Sequence, residues 1–304
     1  MNLNKIKSII EKTWRYNDLS GMVIAFGNLE TSHTISKGLA APPKIFHVAS
    51  ISKLFTTTLI GLSASNGLLK LSDPAFKWLP LIDRRITIWH LLNHCSGISS
   101  KTCNWSYSGN LGDYVLSNFS AYKKVTLPHS FQYSDLNYEI LGYIIEKLWD
   151  KPFESIAYEL IFKKYQMNNS FFNFKKNIHS DLNDIEIIKQ KNIALLYSKN
   201  LQNDFELLTP YPFSLGHMPS STLHSTTEDL SKFARLLLNK SLPLMDNCFS
   251  QPFYGHDGGD IGTSSSFWVN FEKNFYSMAI SNCHNPAVKR ANHLILDELL
   301  EDSL

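Results

Sequence analysis

The chain has 304 residues, of which 43% are hydrophobic and 18% are charged. This is the composition of an ordinary globular protein, and it excludes an intrinsically disordered or fibrous chain. Lysine and arginine (29 residues) nearly balance aspartate and glutamate (27 residues), and the formal charge of +2 excludes a large basic surface for a nucleic-acid backbone.

The N-terminal segment and the cysteines bear on the cellular localisation of the protein. Residues 1–17 mix charged and apolar side chains as an amphipathic helix does, and they lack the continuous apolar segment of a secretory signal. No part of the sequence approaches the roughly 18 consecutive apolar residues that a membrane-spanning helix needs. The 4 cysteines are too scattered for a disulfide framework. We therefore expect a cytoplasmic protein with reduced thiols and without membrane insertion.

Segments typical of β-strands occur near both ends of the chain, and helical spacing predominates between them. Residues 22–26 and 31–36 predict one β-hairpin, and residues 267–271 and 275–281 predict another. Apolar spacing and helix-end signals predict helices over residues 1–17, 51–66, 86–93, 138–149, 153–165, 230–238 and 287–300.

This order of elements predicts two lobes. Strands from the two ends of the chain would form a discontinuous α/β lobe of residues 1–75 and 240–304. The helices between them would form a helical lobe of residues 76–239. We expect the active site in the cleft between the lobes, where concave binding sites usually lie.

The segment Ser50-Ile51-Ser52-Lys53 places a hydroxyl and an amine one helical turn apart, on one face of a predicted helix. A serine hydroxyl is a weak nucleophile at neutral pH, and a desolvated lysine with a lowered pKa can activate it. The same spacing occurs at Ser120–Lys123, so the motif alone is not specific. Ser50 is preferred because it begins an apolar helix whose first N–H groups can stabilise an oxyanion. The alternative is that Ser50 is only a helix cap and Lys53 a solvated side chain.

Two further segments contain groups that suit the same chemistry. Tyr133-Ser134-Asp135 opens a predicted helix, and a phenol there can accept or return a proton beside the nucleophile. Its simpler interpretation is a packed aromatic ring beside an N-cap aspartate. The segment Gly255–Gly259 precedes a strand predicted to begin near Ser264, and its glycines allow a substrate to lie against backbone N–H groups. Such a segment is by itself most often a plain turn.

Other candidates carry less weight. His90 and His94 have the spacing of zinc ligands on a helix, but no glutamate lies between them as in the H-E-x-x-H motif. We therefore expect neither a metal nor another cofactor. Most of the 19 phenylalanines and 13 tyrosines belong in the core. Four aromatic residues could line an apolar pocket for an acyl group: Tyr107, Tyr211, Phe213 and Tyr254.

Taken together, the three motifs match the pattern of a known family. Ser50-Ile51-Ser52-Lys53, Tyr133-Ser134-Asp135 and His256-Asp257-Gly258 resemble, in type and order, the three motifs of the penicillin-recognising serine hydrolases. The branch they resemble most contains class C β-lactamases, DD-peptidases and esterases. The resemblance covers most of the chain.

The resemblance implies an α+β fold of the β-lactamase/transpeptidase type, with a mixed α/β lobe, an antiparallel sheet flanked by helices, and an all-helical lobe. It implies that Ser50 is the acylated nucleophile, that Lys53 activates it and that Tyr133 shuttles protons. The backbone N–H groups of Ser50 and Gly259 would form the oxyanion hole. The substrate-binding residues that it implies are Asp135, His256, Asp257 and Gly258.

Two residues depart from the family pattern in a way that bears on the substrate. The family usually has asparagine where this chain has Asp135, and an ionised carboxylate only accepts hydrogen bonds. A carboxylate close to Lys53 favours the charged ammonium and moves the role of base toward Tyr133. The third motif has Asp257 where threonine or serine is common. We infer a pocket less electropositive than a β-lactam carboxylate requires, and we expect a preference for neutral or cationic esters or amides.

The predicted function is hydrolysis of an ester or amide of a small molecule or peptide through an acyl-Ser50 intermediate. The alternative is an acyltransferase that delivers the acyl group to an amine or alcohol in secondary metabolism, because both activities share the acylation half-reaction. Two further alternatives are DD-peptidase or β-lactamase activity and an inactive binding module. The expected partner is the acyl substrate and not a nucleic acid, and the sequence does not predict the oligomeric state.

Overall fold

The computed structural model describes residues 2–40, 44–99, 109–118, 130–172, 192–208, 215–243 and 252–301. The strands of these ranges are β1 (Gly21–Asn28), β2 (Ser32–Gly38), β3 (Phe46–His47), β4 (Tyr197–Lys199), β5 (Phe205–Leu207), β6 (His224–Ser225), β7 (Phe253–Asp260), β8 (Thr263–Asn270) and β9 (Phe275–Ser281). Cys95 and Cys283 are free thiols, and the other two cysteines lie outside the described residues.

The helices of the described ranges include two that were not predicted, at residues 111–117 and 218–221. In chain order the helices are α1 (Leu3–Tyr16), α2 (Ser52–Ser65), α3 (Ile88–Leu92), α4 (Leu111–Ser117), α5 (Asp135–Trp149), α6 (Phe153–Ala157), α7 (Met218–Ser221), α8 (Thr227–Leu238) and α9 (Pro286–Glu301). Among the described residues, no helix combines the length and the apolar character needed to cross a bilayer.

The main sheet joins strands from both ends of the chain, in the order β2-β1-β9-β8-β7. Val23 of β1 pairs with Ser36 of β2 on one side and with Ile280 of β9 on the other. Every neighbouring pair of strands in this sheet is antiparallel. Both predicted hairpins are therefore confirmed, together with the antiparallel sheet that the resemblance implied.

One face of the sheet is covered by the first and last helices. Ile6 of α1 and Ile295 of α9 are fully buried in a core that also contains Ile24 and Phe26 of β1. Apolar residues of β1 thus alternate between this core and the core on the other face, as strand geometry requires.

The other face of the sheet is covered by α8 and α2. The ring centroid of Phe233 in α8 lies 4.1 Å from that of Phe55 in α2 and 5.8 Å from that of Phe267 in β8. Helix α8 thus packs on the sheet, although the predicted boundary at residue 239 grouped it with the helical lobe. Helix α2 is buried on nearly every side and also contacts α5 and α7. It therefore connects the sheet with the helices, and the Ser50 motif lies at its N-terminus.

The glycine-rich segment is itself an edge strand and not a turn that precedes one. Strand β7 pairs with β8 from Phe253, opposite Asn270, to Asp260, opposite Thr263. A side chain at Gly255 would place its Cβ 2.1 Å from the Phe267 carbonyl oxygen, so the close approach of β8 requires glycine. Glycine is depleted in strands, and for that reason composition alone favoured a turn.

Candidate active site

Ser50 lies in a short 3₁₀ turn (Ala49–Ile51) directly before α2, and it does not cap that helix. Ala49 has a φ of +47°, in the left-handed region that residues with a side chain rarely adopt. Ser52 stabilises the turn, because its Oγ donates to the Ala49 carbonyl oxygen at 2.7 Å. The alternative interpretation of Ser50 as a simple helix cap is therefore wrong.

Lys53 is completely buried, and its Nζ has three acceptors. These are Ser50 Oγ at 3.1 Å, Asp135 Oδ1 at 2.6 Å and the Ser220 carbonyl oxygen at 2.8 Å. Burial by itself lowers the pKa of Lys53, but the Asp135 carboxylate, together with Tyr133, raises it by a larger amount, so the pKa lies above its ordinary value. Lys53 is thus an ammonium ion whose three N–H donors are all engaged.

Tyr133 reaches the same hydroxyl from the other side. Its Oη lies 3.0 Å from Ser50 Oγ and donates to Asp135 Oδ1 at 3.3 Å. Burial raises the pKa of the Tyr133 phenol, and the Lys53 charge offsets part of this effect. The three groups expected to converge, from positions 50, 53 and 133, are brought together within hydrogen-bonding distance.

Strand β7 forms the opposite side of the site. The His256 ring lies 5.9 Å from the Tyr133 ring, measured between centroids. A Cβ at Gly258 would lie 2.7 Å from the Val48 carbonyl oxygen and 3.2 Å from Ser50 N, so glycine allows the strand to approach the Ser50 turn. Gly259 follows on this strand, which lies at the edge of the sheet formed by the described strands.

Asp257 does not lie where we expected a substrate-binding residue. Its carboxylate accepts hydrogen bonds from Ser266 Oγ at 2.7 Å and Trp268 Nε1 at 2.9 Å, and it lies 3.1 Å from His293 Nε2 of α9. Burial alone raises the pKa of Asp257, but these partners lower it to about 2. Because side chains alternate along a strand, Asp257 faces α9 while its neighbour His256 faces the site.

His94 supports the Tyr133 segment, a role that sequence reasoning missed. Its Nδ1 accepts a hydrogen bond from the Ser134 backbone N–H at 3.1 Å, and its ring centroid lies 4.5 Å from that of Tyr133. Burial and the Lys53 charge lower the pKa of His94 to about 3, so the ring is neutral. Within the described ranges, no group of His, Cys, Asp and Glu is arranged to hold a metal ion.

A second buried cluster lies behind Lys53 and was also missed. Glu139 Oε1 contacts His217 Nδ1 and accepts a hydrogen bond from Ser220 Oγ at 3.0 Å. Burial raises the pKa of Glu139. Ser220 also provides the carbonyl oxygen that holds Lys53. The available signal was a glutamate in the apolar stretch of α5, between Tyr138 and Ile140.

The remaining candidates separate into two groups. Tyr254 is only 5% exposed and packs in the main core beside Phe271, so it does not line an acyl pocket. The other residues proposed for that pocket, and the second S-x-x-K copy, lie outside the described residues: Tyr107, Tyr211, Phe213 and Ser120.

Comparison with known proteins agrees with the motifs and the geometry. Residues 7–300 match the sequence profile of the Beta-lactamase family. This chain belongs to the Beta-lactamase family. A relative is the protein named flp from Staphylococcus aureus (strain MRSA252), 27% identical over 211 residues, which are 66% of this chain and 40% of flp. This chain thus spans less than half of the length of flp.

Two solved structures have the same fold. The octameric penicillin-binding protein homologue from Pyrococcus abyssi superposes with a TM-score of 0.82 at 20% identity, over 98% of this chain and 78% of the other. The D-amino acid amidase from Ochrobactrum anthropi SV3, complexed with L-phenylalanine amide, superposes with a TM-score of 0.81 at 19% identity, over 99% and 98% of the two chains. The expected β-lactamase/transpeptidase-like fold is confirmed.

Proposed function

We propose that this Beta-lactamase family member hydrolyses an ester or amide of a small molecule or peptide through an acyl-Ser50 intermediate. The observation that carries this proposal is the junction at Ser50 Oγ, where Lys53 Nζ at 3.1 Å and Tyr133 Oη at 3.0 Å meet. An adjacent cation and a proton-transfer group are what a serine needs to become a nucleophile. The Ser50 and Gly259 N–H groups would stabilise the oxyanion, at about 3–4 kcal/mol for each donor.

The charges around Ser50 favour neutral or cationic substrates. Asp135 neutralises the Lys53 ammonium at 2.6 Å. Burial and the Lys53 charge lower the pKa of His256 to about 4, so its ring is neutral at pH 7. No net positive charge from these three residues is then left to hold a substrate carboxylate. The weak electropositive character inferred from the sequence therefore rests on Asp135 and His256, and not on Asp257.

A substrate panel tests the proposed activity. Intact-protein mass spectrometry is expected to show an acyl adduct on Ser50 with p-nitrophenyl acetate, and turnover is expected with neutral esters or with amino acid amides such as D-phenylalanine amide. Efficient turnover of benzylpenicillin would contradict the proposed substrate class. No burst with p-nitrophenyl acetate and no labelling by a fluorophosphonate would instead indicate a binding module. Product analysis with an added amine separates hydrolysis from acyl transfer.

His256→Lys is expected to raise kcat/KM for benzylpenicillin by about tenfold, because the variant provides a cation for the substrate carboxylate. A factor of ten corresponds to about 1.4 kcal/mol, a reasonable value for a charge-assisted hydrogen bond. The control is a neutral ester of similar size, for which no gain is expected. Equal gains for both substrates would show that the charge at position 256 does not select the substrate.

A further inference from the structure

We propose that Asp135 is the final acceptor of the Ser50 proton, which reaches it through the Tyr133 hydroxyl. This inference rests on the proposed acyl-Ser50 mechanism and assigns the route of the proton within it. This chain has Asp135 where the family usually has asparagine, and the difference matters because a carboxylate can hold a proton whereas an amide oxygen does not at neutral pH.

Lys53 cannot accept the Ser50 proton while its amine is charged. Its three N–H donors are directed to Ser50 Oγ, Asp135 Oδ1 and the Ser220 carbonyl oxygen. An ammonium ion has no lone pair, so Lys53 cannot receive a proton from Ser50. It can only donate to Ser50 Oγ, and this stabilises negative charge that develops on that oxygen.

The remaining hydrogens have one consistent arrangement. Tyr133 Oη lies 3.3 Å from Asp135 Oδ1, and an ionised carboxylate only accepts, so the phenol hydrogen is directed to Asp135. The phenol oxygen then presents a lone pair to Ser50 Oγ, 3.0 Å away. Ser50 must therefore be the donor in that contact. The chain of hydrogen bonds runs in one direction, from Ser50 through Tyr133 to Asp135.

The acylation step follows from this arrangement. As Ser50 Oγ forms a bond to the substrate carbonyl carbon, its proton passes to Tyr133 Oη and the phenol proton passes to Asp135 Oδ1. The carbonyl π electrons move to the carbonyl oxygen. When the tetrahedral intermediate collapses, the bond to the leaving group breaks, the leaving group takes a proton from Tyr133, and Asp135 returns its proton to Tyr133. In deacylation, the water oxygen forms a bond to the acyl carbonyl carbon while a water proton passes to Tyr133 Oη and the phenol proton passes to Asp135 Oδ1. When this second tetrahedral intermediate collapses, the bond to Ser50 Oγ breaks and the carboxylic acid leaves. Ser50 Oγ takes a proton from Tyr133, and Asp135 returns its proton to Tyr133.

Protonation of Asp135 also changes the charge next to the reacting oxygen. In the resting site the carboxylate neutralises Lys53, whereas a protonated Asp135 leaves the ammonium unpaired, 3.1 Å from Ser50 Oγ, when the oxyanion forms. Burial raises the pKa of Asp135, but the Lys53 charge and hydrogen bond lower it below its ordinary value, so the resting carboxylate is ionised. The charged or titratable groups that interact electrostatically with Asp135 are Lys53, Tyr133, His217, Glu139, His94 and His256.

The pH dependence of acylation tests the proposal. The burst of p-nitrophenyl acetate is measured by stopped flow for the wild type and for Asp135→Asn, from about pH 4 to pH 9. The Lys53 charge holds the pKa of Asp135 below its ordinary value, so we expect the wild-type rate to show no acid limb down to about pH 4. In Asp135→Asn the base must be Lys53 or Tyr133, whose pKa values are higher, so the acid limb should move up by more than about 2 pH units. At pH 7 the rate should fall roughly 10²-fold.

Two other variants keep the test decisive. Asp297→Asn changes an exposed aspartate of α9 and should keep the wild-type acid limb. Tyr133→Phe breaks the relay but retains the Lys53–Asp135 ion pair, so adding Asp135→Asn to it should change the acylation rate by less than about threefold. An unmoved acid limb in Asp135→Asn, or additive effects of the two substitutions, would overturn the proposal. A wild-type protein that is never acylated at Ser50 would instead refute the proposed function.

Discussion

Ser50→Ala is expected to abolish turnover and to remove all labelling of the protein by a fluorophosphonate. The substitution removes the oxygen on which Lys53 Nζ and Tyr133 Oη converge, at 3.1 and 3.0 Å. Loss of the nucleophile in a serine hydrolase lowers kcat by about 10⁶-fold, so the residual rate should be a negligible fraction of the wild-type rate. Intact-protein mass spectrometry and burst kinetics measure the two effects separately.

The matched control for this variant is Ser120→Ala. Ser120 begins the second S-x-x-K copy, so it has the same local sequence spacing, and the preference for Ser50 predicts that it is not the nucleophile. Labelling and turnover should both remain in Ser120→Ala. Retained labelling in Ser50→Ala, combined with loss in Ser120→Ala, would reverse the assignment of the nucleophile.

Lys53→Met is expected to slow acylation by about 10²–10⁴-fold and to destabilise the fold. The ammonium that it removes is fully buried beside the Asp135 carboxylate, whose side chain is only 16% exposed. Removing one partner of a buried ion pair costs about 3–5 kcal/mol, because the other charge is left without compensation. Urea unfolding at pH 7 measures this loss, and single-turnover kinetics measures the loss of rate.

The loss of stability should depend on pH with a definite sign. In the wild type, Lys53 lowers the pKa of the Asp135 carboxyl group in the folded protein below its value in the unfolded chain. The ion pair therefore stabilises the fold fully at a pH above the pKa of the unfolded chain. This stabilisation is lost as the pH falls through the pKa of the folded protein. Lys53→Met removes the largest influence that opposes burial, so the pKa of Asp135 rises in this variant. The carboxyl group is then neutral in mild acid, so the difference in unfolding free energy should shrink as pH decreases.

A double variant separates the structural effect from the chemical effect. Lys53→Met combined with Asp135→Asn leaves no uncompensated charge, so most of the lost stability should return while acylation stays slow. If the double variant is no more stable than Lys53→Met, the ion pair is not the source of the loss, and packing around the lysine side chain would account for it.

The sequence was sufficient to predict which side chains contact Ser50 Oγ. The spacing from Ser50 to Lys53 fixes their proximity through one helical turn, and Tyr133 was identified because its motif follows at the family's position. The sequence did not reveal the direction of the Asp257 carboxylate. That direction depends on the register of β7, and β7 is a strand only because β8 and the Ser50 turn pack closely against its glycines.

A different limit of prediction from sequence is shown by the cluster of Glu139, His217 and Ser220. Its members come from α5 and from the segment around α7, and no local spacing relates residue 139 to residue 217. Buried polar contacts of this kind depend on how helices pack in three dimensions, whereas sequence patterns report mainly neighbours along the chain. The position of α8 on the sheet was missed for the same reason, since its apolar stripe fits either lobe.

The position of β9 has a consequence for biosynthesis. This strand separates β1 from β8 in the sheet, and Val23 of β1 pairs with Ile280. A nascent chain arrested before residue 275 already contains Ser50, Lys53, Tyr133 and His256, yet the β1–β2 and β7–β8 hairpins of the main sheet still lack the strand that pairs with both. Isolated hairpins are marginally stable, and pairing between distant segments is slow. The contacts around Ser50 should therefore form only after β9 has left the ribosome, and truncation before β9 should yield aggregation-prone chains without the proposed activity.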